Sequence, residues 1–238
     1  MHKIANKIIF FESLNSTNDY LISLYKELNL RNNFIVIADR QHKGRGRRKK
    51  KWFSNEDSLT FSFSIELKLN MNSWHLSMTV SLALVRLLSD YNIQAVIKYP
   101  NDIFFKKNKI AGILTEVISV QNRKYCIVGI GLNVNNKSFP VSLSNVTSIK
   151  KILSVSINKD SLFSGFFKHV DLIMNHNNLI NDYVTYLYGF KKLIPCLYRG
   201  SFLRIKILSV DNNGFLQILT ENSSIKTVRY ENIHFLIN

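Results

Sequence analysis

Apolar and polar residues alternate without a fault from Leu59 to Leu69. Leu59, Phe61, Phe63, Ile65, Leu67 and Leu69 interleave with Thr60, Ser62, Ser64, Glu66 and Lys68. A repeat of two marks a strand whose two faces meet different surroundings. The pattern predicts a sheet with one face covered and one polar. Shorter apolar runs predict further strands at Ile8–Phe11, Phe34–Ala38, Ala95–Lys98, Ile110–Val120 and Tyr125–Val128. Leu21, Leu24, Tyr25 and Leu28 recur at helical spacing, with Ser16 as N-cap and Asp19 three residues on. Trp74–Leu88 is dense in Leu, Val, Met and Ala without alternation, which fits a largely buried helix. Leu162, Phe163, Phe166, Phe167, Val170, Ile173 and Met174 predict another helix, capped by Asp160 or Ser161, and a further helical segment runs from Leu179 to about Tyr188. Beyond Pro195, Phe202–Leu208 and Phe215–Leu219 flank the turn Asp211–Gly214, a hairpin signal. The expected architecture is α+β: a body over residues 1–190 and a small β unit over 191–238.

Composition narrows the function classes. A chain of 238 residues, 46% hydrophobic and 12% aromatic, can bury a real core. Cys126 and Cys196 are far apart and form no CxxC, so neither a disulfide framework nor a zinc site is suggested. The first residues hold no apolar core of signal-peptide length, and no run of ~18 apolar residues predicts a membrane span. The expectation is a cytoplasmic protein. His2, His42, His75, His169, His176 and His234 form no HExxH or close pair, so each reads as a surface or core residue and no metal ligand is assigned. Gly129-Ile-Gly131 follows a strand, yet the third glycine and the following helix of a dinucleotide fingerprint are missing. A phosphate loop and a Gly-x-Ser-x-Gly elbow are absent from the sequence.

The charge is concentrated. Asp39–Ser54 holds eight Lys or Arg against one Asp, a local +7 out of the chain's +16. Gly44 and Gly46 alternate with Arg45 and Arg47, so the stretch reads as a long loop between two strands. Three readings compete: a solvated charge run, a nucleic-acid patch, or a clamp for a small anion. The glycines favour the clamp, because they let the main chain approach an anion that the guanidinium fork can then grip. Further along, Pro100 stops a strand and forces a turn presenting Asn101 and Asp102. Ala111 and Gly112 remove side-chain bulk near a strand start, which suggests a close approach to its backbone.

Five stretches in order resemble the biotin protein ligase family: Ser16-Thr-Asn18; Gln41 with Gly44-Arg-Gly-Arg-Arg48 and Trp52-Phe-Ser54; Lys98-Tyr-Pro-Asn-Asp102; Lys109-Ile-Ala-Gly-Ile-Leu-Thr-Glu116; and Gly129-Ile-Gly-Leu-Asn-Val-Asn135. The resemblance implies a central mixed, mainly antiparallel sheet packed by helices, related to class II aminoacyl-tRNA synthetases, with an SH3-like C-terminal unit. It implies joining of biotin to ATP, then transfer from biotinyl-5′-adenylate to one lysine of a biotin carboxyl carrier protein or domain of acetyl-CoA carboxylase. Mg²⁺ would accompany ATP. The resemblance places Arg45, Lys98, Asp102 and Lys109 in the catalytic set. It places Ser16, Thr17, Asn18, Gln41, Gly44, Arg45, Gly46, Arg47, Trp52, Asn101, Lys109, Gly112, Gly129, Gly131 and Asn133 around biotin and the adenylate. Lys49 stands where the family's loop has another glycine, and Tyr99 replaces the usual Trp. With about 15 residues before Ser16, no winged-helix domain and no specific DNA binding are expected. A homodimer paired through the sheet is compatible with the family. Lipoate or octanoate ligation and a basic nucleic-acid-binding protein are the alternatives.

Overall fold

The computed structural model describes residues 7–28, 30, 32–68, 71–175 and 178–236, with Lys49 in its backbone alone. Leu69, His2 and His176, and the rest of the opening six residues, lie outside this set. The frame is a seven-stranded sheet of β1 (Lys7–Leu14), β2 (Phe34–Gln41), β3 (Ser58–Glu66), β4 (Val96–Lys98), β5 (Asp102–Phe105), β6 (Asn108–Val120) and β7 (Arg123–Asn133). Its order is β1-β2-β3-β7-β6-β5-β4. β1 and β2 run parallel, and every other neighbour pair is antiparallel. This is the mixed α+β architecture expected from the alternation of patterns.

Helices close the two faces differently. α1 (Thr17–Leu28) packs Leu21 and Tyr25 against Val36, Tyr125 and Ile127 on one face. On the other, α2 (Ser73–Asp90) and α4 (Lys159–Met174) cover Phe61, Phe63, Val128 and Ile130. A short helix α3 (Ile149–Leu153), capped by Ser148, escaped the sequence reading because five residues carry no periodicity. α5 (Leu179–Thr185) ends three residues before the predicted limit.

The C-terminal strands are β8 (Ile194–Tyr198), β9 (Ser201–Val210), β10 (Leu216–Thr220), β11 (Ile225–Val228) and β12 (Ile233–Phe235). They form a second, antiparallel sheet ordered β11-β10-β9-β8-β12. Its inner residues, Ile205, Ile207, Leu216 and Phe235 among them, join the same continuous core as α2 and α4.

Three local expectations change. The polar side of β3 is not a solvent face: Thr60, Ser62 and Ser64 are fully buried, because α1 lies over them. The cap of α4 is Asn158, whose side chain accepts from the Ser161 N–H at 2.9 Å, and not Asp160 or Ser161. β2 continues to Gln41, so that residue sits in the strand end rather than beyond it.

Candidate active site

The site lies on the α1 face of the sheet, where β3, β7 and β6 run side by side. Gly131 on β7 pairs across the sheet with Gly112 on β6, and Gly129 with Leu114. A Cβ at Gly129 would fall on the Asn18 amide, and one at Gly131 on the Trp52 ring, both inside the 3.0 Å that real Cβ atoms keep. At Gly112 it would meet Trp52 at 3.0 Å and the Lys109 ammonium at 3.1 Å. The glycines thus make a flat floor that lets Asn18 and Trp52 lie against the backbone.

One wall is the start of α1, fixed by hydrogen bonds. Gln41 Oε1 accepts from the Thr17 N–H at 2.8 Å and from Thr17 Oγ1 at 3.1 Å. Ser62 Oγ lies 2.6 Å from both Thr17 Oγ1 and Asn18 Oδ1. Asn18 Nδ2 donates to Glu116 Oε2 at 2.8 Å. The Asp19 N–H donates to Ser16 Oγ at 3.3 Å, the cap expected from the sequence. Ser16, Thr17 and Asn18 are all buried. Their polar atoms are already partnered within the chain, so the wall is preorganised.

The basic loop folds back over the floor instead of projecting into solvent. Gly44 and Trp52 close it: the Trp52 N–H donates to Gly44 O at 2.8 Å, and a Cβ at Gly44 would stand 2.5 Å from Trp52 O. Arg45 Nη2 meets Asp19 Oδ1 at 2.5 Å and Glu116 Oε2 at 2.8 Å. Arg47 Nη1 donates to Asn101 Oδ1 at 3.2 Å, and Asn101 Nδ2 donates to Ile113 O at 2.6 Å. Lys109 Nζ lies 2.6 Å from Asp102 Oδ1 and 5.3 Å from the Trp52 ring centre. These contacts enclose a cavity of about 260 Å³.

Of the residues singled out from the sequence, Ser16, Thr17, Asn18, Gln41, Arg45, Gly46, Arg47, Trp52, Lys98, Asn101, Asp102, Lys109, Gly112, Gly129 and Gly131 all line this cavity. Gly44 and Asn133 do not. Gly44 serves the loop closure just described. Asn133 is buried and donates to Thr147 O at 2.9 Å, which ties down the segment after β7. The cavity also takes in Arg48, Lys50 and Lys51, and from the C-terminal sheet Tyr230, Ile233 and His234. His234 is exposed, as a surface residue, at the edge of the cavity. Of the carboxylates that hold Arg45, Asp19 entered the sequence reading only as the acidic residue three on from the Ser16 cap, and Glu116 only as the end of the fourth motif. Tyr230 carried no signal.

The electrostatics are those of a cationic pocket. Burial depresses the Lys98 pKa below the ordinary lysine value, and Lys109 and Lys50 push it further down against the pull of Asp102. Burial, Lys98 and Lys50 likewise lower His234, so its imidazole is neutral at pH 7. For Arg45, burial acts to lower the pKa, yet the hydrogen bonds with Asp19 and Glu116 outweigh it and leave the guanidinium above its usual value. Tyr99 is raised by burial, and its hydroxyl donates to Gly214 O on the C-terminal hairpin.

Residues 10–133 match the model of the biotin/lipoate A/B protein ligase family. Biotin–protein ligase 2 of Arabidopsis thaliana is 30% identical over 207 residues, covering 83% of this chain and 59% of that protein. The bifunctional ligase/repressor BirA of Bacillus subtilis is 29% identical over 245 residues, covering 94% and 73%. This chain spans 59% and 53% of the length of the two Arabidopsis ligases it matches. The structure of biotin protein ligase from Aquifex aeolicus in complex with biotin and ATP superposes with a TM-score of 0.78 at 24% identity, over 98% of this chain and all of that one. At that identity the superposition speaks for the fold. With the family model matched over more than half its length, on the stretch that builds the cavity, the chain belongs to the biotin/lipoate A/B protein ligase family.

Proposed function

We propose that this protein activates biotin with ATP and passes the biotinyl group to a lysine of a biotin carboxyl carrier protein or domain. One observation carries the reading: Arg47, Lys98 and Lys109 converge on a glycine-floored cavity walled by the buried Ser16-Thr17-Asn18 start of α1. In the first step a biotin carboxylate oxygen attacks the α-phosphorus of ATP. A mixed anhydride forms and pyrophosphate leaves. Two anions ~4 Å apart repel by about 4 kcal/mol at an effective dielectric of ~20, so the site must supply positive charge. Lys109, held by Asp102 at 2.6 Å, can exchange that carboxylate for the ligand's. Lys98, whose charge is poorly accommodated among Lys109 and Lys50, is eased when an anion arrives. Arg45 is bound to Asp19 and Glu116, which makes it a fastener of the loop, while Arg47 is the guanidinium turned along the cavity wall. In the second step the carrier's neutral lysine amine attacks the anhydride carbonyl; AMP leaves and the nitrogen loses a proton. A closed loop keeps water from the anhydride in the interval.

Among the described residues no group of three or more His, Cys, Asp or Glu converges on a metal-sized point. Asp102 and Glu116 are each engaged by a cation. In this reading magnesium would enter with the substrate, on the phosphate oxygens of ATP. No described helix is long and apolar enough to cross a membrane.

The test is calorimetric titration with biotin, then addition of ATP and Mg²⁺ with pyrophosphate measured. Micromolar or tighter biotin binding with pyrophosphate release supports the adenylating half-reaction. Release with lipoate or octanoate in place of biotin moves the chain to the lipoate branch of the same family. Binding of neither, by a folded protein, overturns the reading. The nucleic-acid alternative predicts affinity that falls steeply with salt. It is disfavoured by a loop that folds back over the cavity with its Arg45 spent on carboxylates inside the chain.

A further inference from the structure

The middle of the basic loop adopts a conformation its own sequence does not favour. Arg48 has φ 53° and ψ 42°, the left-handed region, where a residue with a Cβ costs about 1 kcal/mol. The loop's own hydrogen bonds there, from the Gly46 N–H to Lys50 O and from the Lys50 N–H to Arg47 O, close a tight turn without relieving that cost. From outside, the turn meets an aromatic ring as well as Asn101. The Arg47 guanidinium lies 3.9 Å from the centre of the Tyr230 ring, and that of Arg48 lies 5.3 Å from it. Tyr230 belongs to a one-turn 3-10 helix (Tyr230–Asn232) leading into β12, so it is carried by the C-terminal sheet. Both guanidiniums are within the range of a cation–π contact with this one ring. Arg47 in turn holds Asn101, and Asn101 holds the Ile113 carbonyl on β6. The chain of contacts therefore runs from the C-terminal sheet, through the loop, to the cavity floor.

We propose that Tyr230 is a positioning residue: its ring is the dock that holds Arg47 and Arg48, and so keeps the basic loop closed over the cavity. Beside the Gly44–Trp52 closure and the Arg47–Asn101 hydrogen bond, the loop is fastened at two further points. Arg45 ties one limb to α1 and β6 through Asp19 and Glu116. Tyr230 ties the crest to the C-terminal sheet. This deepens the proposed function, since closure over the acyl-adenylate is what the dock would serve, and it assigns the C-terminal sheet a role in that closure.

Trypsin reads the dock directly, because the crest and its flanks are a run of Lys and Arg that Tyr230 substitutions leave intact. Ligand-free wild-type protein, Tyr230→Leu and Tyr230→Phe are nicked under limiting trypsin, and cuts within 43–51 are quantified by mass spectrometry. The cutting rate follows the open population of the loop. Tyr230→Leu is expected to be cut about fivefold faster in this window, with its melting temperature and its other cleavage sites unchanged. Tyr230→Phe, which keeps the ring face, is expected to match wild type. Wild-type protection in Tyr230→Leu, or a Phe variant as labile as the Leu variant, overturns the dock. Pyrophosphate release is assayed in parallel. Where the reading of function holds, Tyr230→Leu raises the KM for ATP and Tyr230→Phe restores it. If wild-type protein releases no pyrophosphate while the proteolysis pattern stands, the reading of function fails and the dock survives.

Discussion

The two faces of β3 are equally hidden from water and do different work. On one, Phe61 and Phe63 meet Phe166 and Phe167 of α4, with ring centres 5.4 Å apart in the Phe61–Phe166 and Phe63–Phe167 pairs. On the other, Thr60, Ser62 and Ser64 lie under β2 and α1, and each hydroxyl has a named partner: Ala38 O, Asn18 Oδ1 and Tyr25 OH. Burial alone does not separate a core from a site. The apolar face stabilises by area, without regard to direction. The polar face contributes little net stability per hydrogen bond, but it fixes where Thr17 and Asn18 point. The same one-residue alternation thus supplies a support on one side and a preorganised wall on the other.

The largest expected effect comes from breaking the apolar side. Phe63→Ala removes a fully buried ring and is expected to lower unfolding free energy by about 3–5 kcal/mol in urea titration. Molecules that remain folded should bind biotin as wild type does. Weakened binding at full folding would show that the two faces are coupled through the strand. Next is the floor. Gly131→Ala puts a methyl where the Trp52 ring lies, and Trp52 Nε1 has no hydrogen-bond partner among the described residues to hold it in place. The ring is displaced, and a misplacement of ~1 Å can cost on the order of 100-fold in turnover. Pyrophosphate release should fall by that much while the melting temperature barely moves. A destabilised but active variant would mean that the floor serves packing alone.

Ser62→Ala sits between these cases. It leaves Asn18 Oδ1 without its Ser62 partner in a closed space, which costs about 1–3 kcal/mol, while Thr17 Oγ1 keeps Gln41. Stability and biotin affinity should drop together, whereas Ser64→Ala, farther along the same face beside Tyr25, should affect stability alone. Equal loss of affinity in both would dissolve the distinction between wall and core on this face.

How far the sequence carried these assignments follows from the range of each signal. The alternation of β3 and the apolar density of α2 are local; α2 stands where it was expected, and β3 covers the alternation as far as Glu66, with Leu67 and Lys68 beyond the strand. The glycines of the floor could be recognised because each sits in a motif, and the side chains that need the space, Asn18 and Trp52, lie in motifs too. The burial of the polar face of β3 was not legible, since nothing in Thr60-x-Ser62-x-Ser64 says that a helix 40 residues upstream will cover it. The pairing of Arg45 with Asp19 and Glu116 joins residues 26 and 71 positions apart, and charge patterning along the chain cannot supply such a contact. Tyr99 appeared only as a departure from the family pattern; in the fold its hydroxyl reaches the Gly214 carbonyl and joins the Pro-Asn-Asp turn to the C-terminal sheet. Asn133 shows the converse. It lies in a motif with the floor glycines and on their face of β7, yet at the strand end its amide donates to the Thr147 carbonyl instead of lining the cavity.

The smallest effect has the opposite sign. Lys98 keeps its proton less readily in the fold than in the unfolded chain, because it is partly buried and faces Lys109 and Lys50, with only partial relief from Asp102. A depressed lysine pKa means that the protonated form is a cost to folding. That cost is fully present at pH below the folded-state pKa and fades as pH rises through it towards the ordinary 10.5. Lys98→Met removes the charge and keeps the length of the stem, so it is expected to stabilise the protein at pH 7 by about 0.5 kcal/mol, after the screening a partly exposed site allows. The difference from wild type should shrink steadily in urea titrations taken towards pH 10.5, and saturating biotin with ATP should shrink it at pH 7, because bound anions relieve the same repulsion. A Lys98→Met variant less stable than wild type at pH 7 would show that the pair with Asp102 outweighs the crowding of like charges. The polar face would then be held together by its ions, as the apolar face is by its rings.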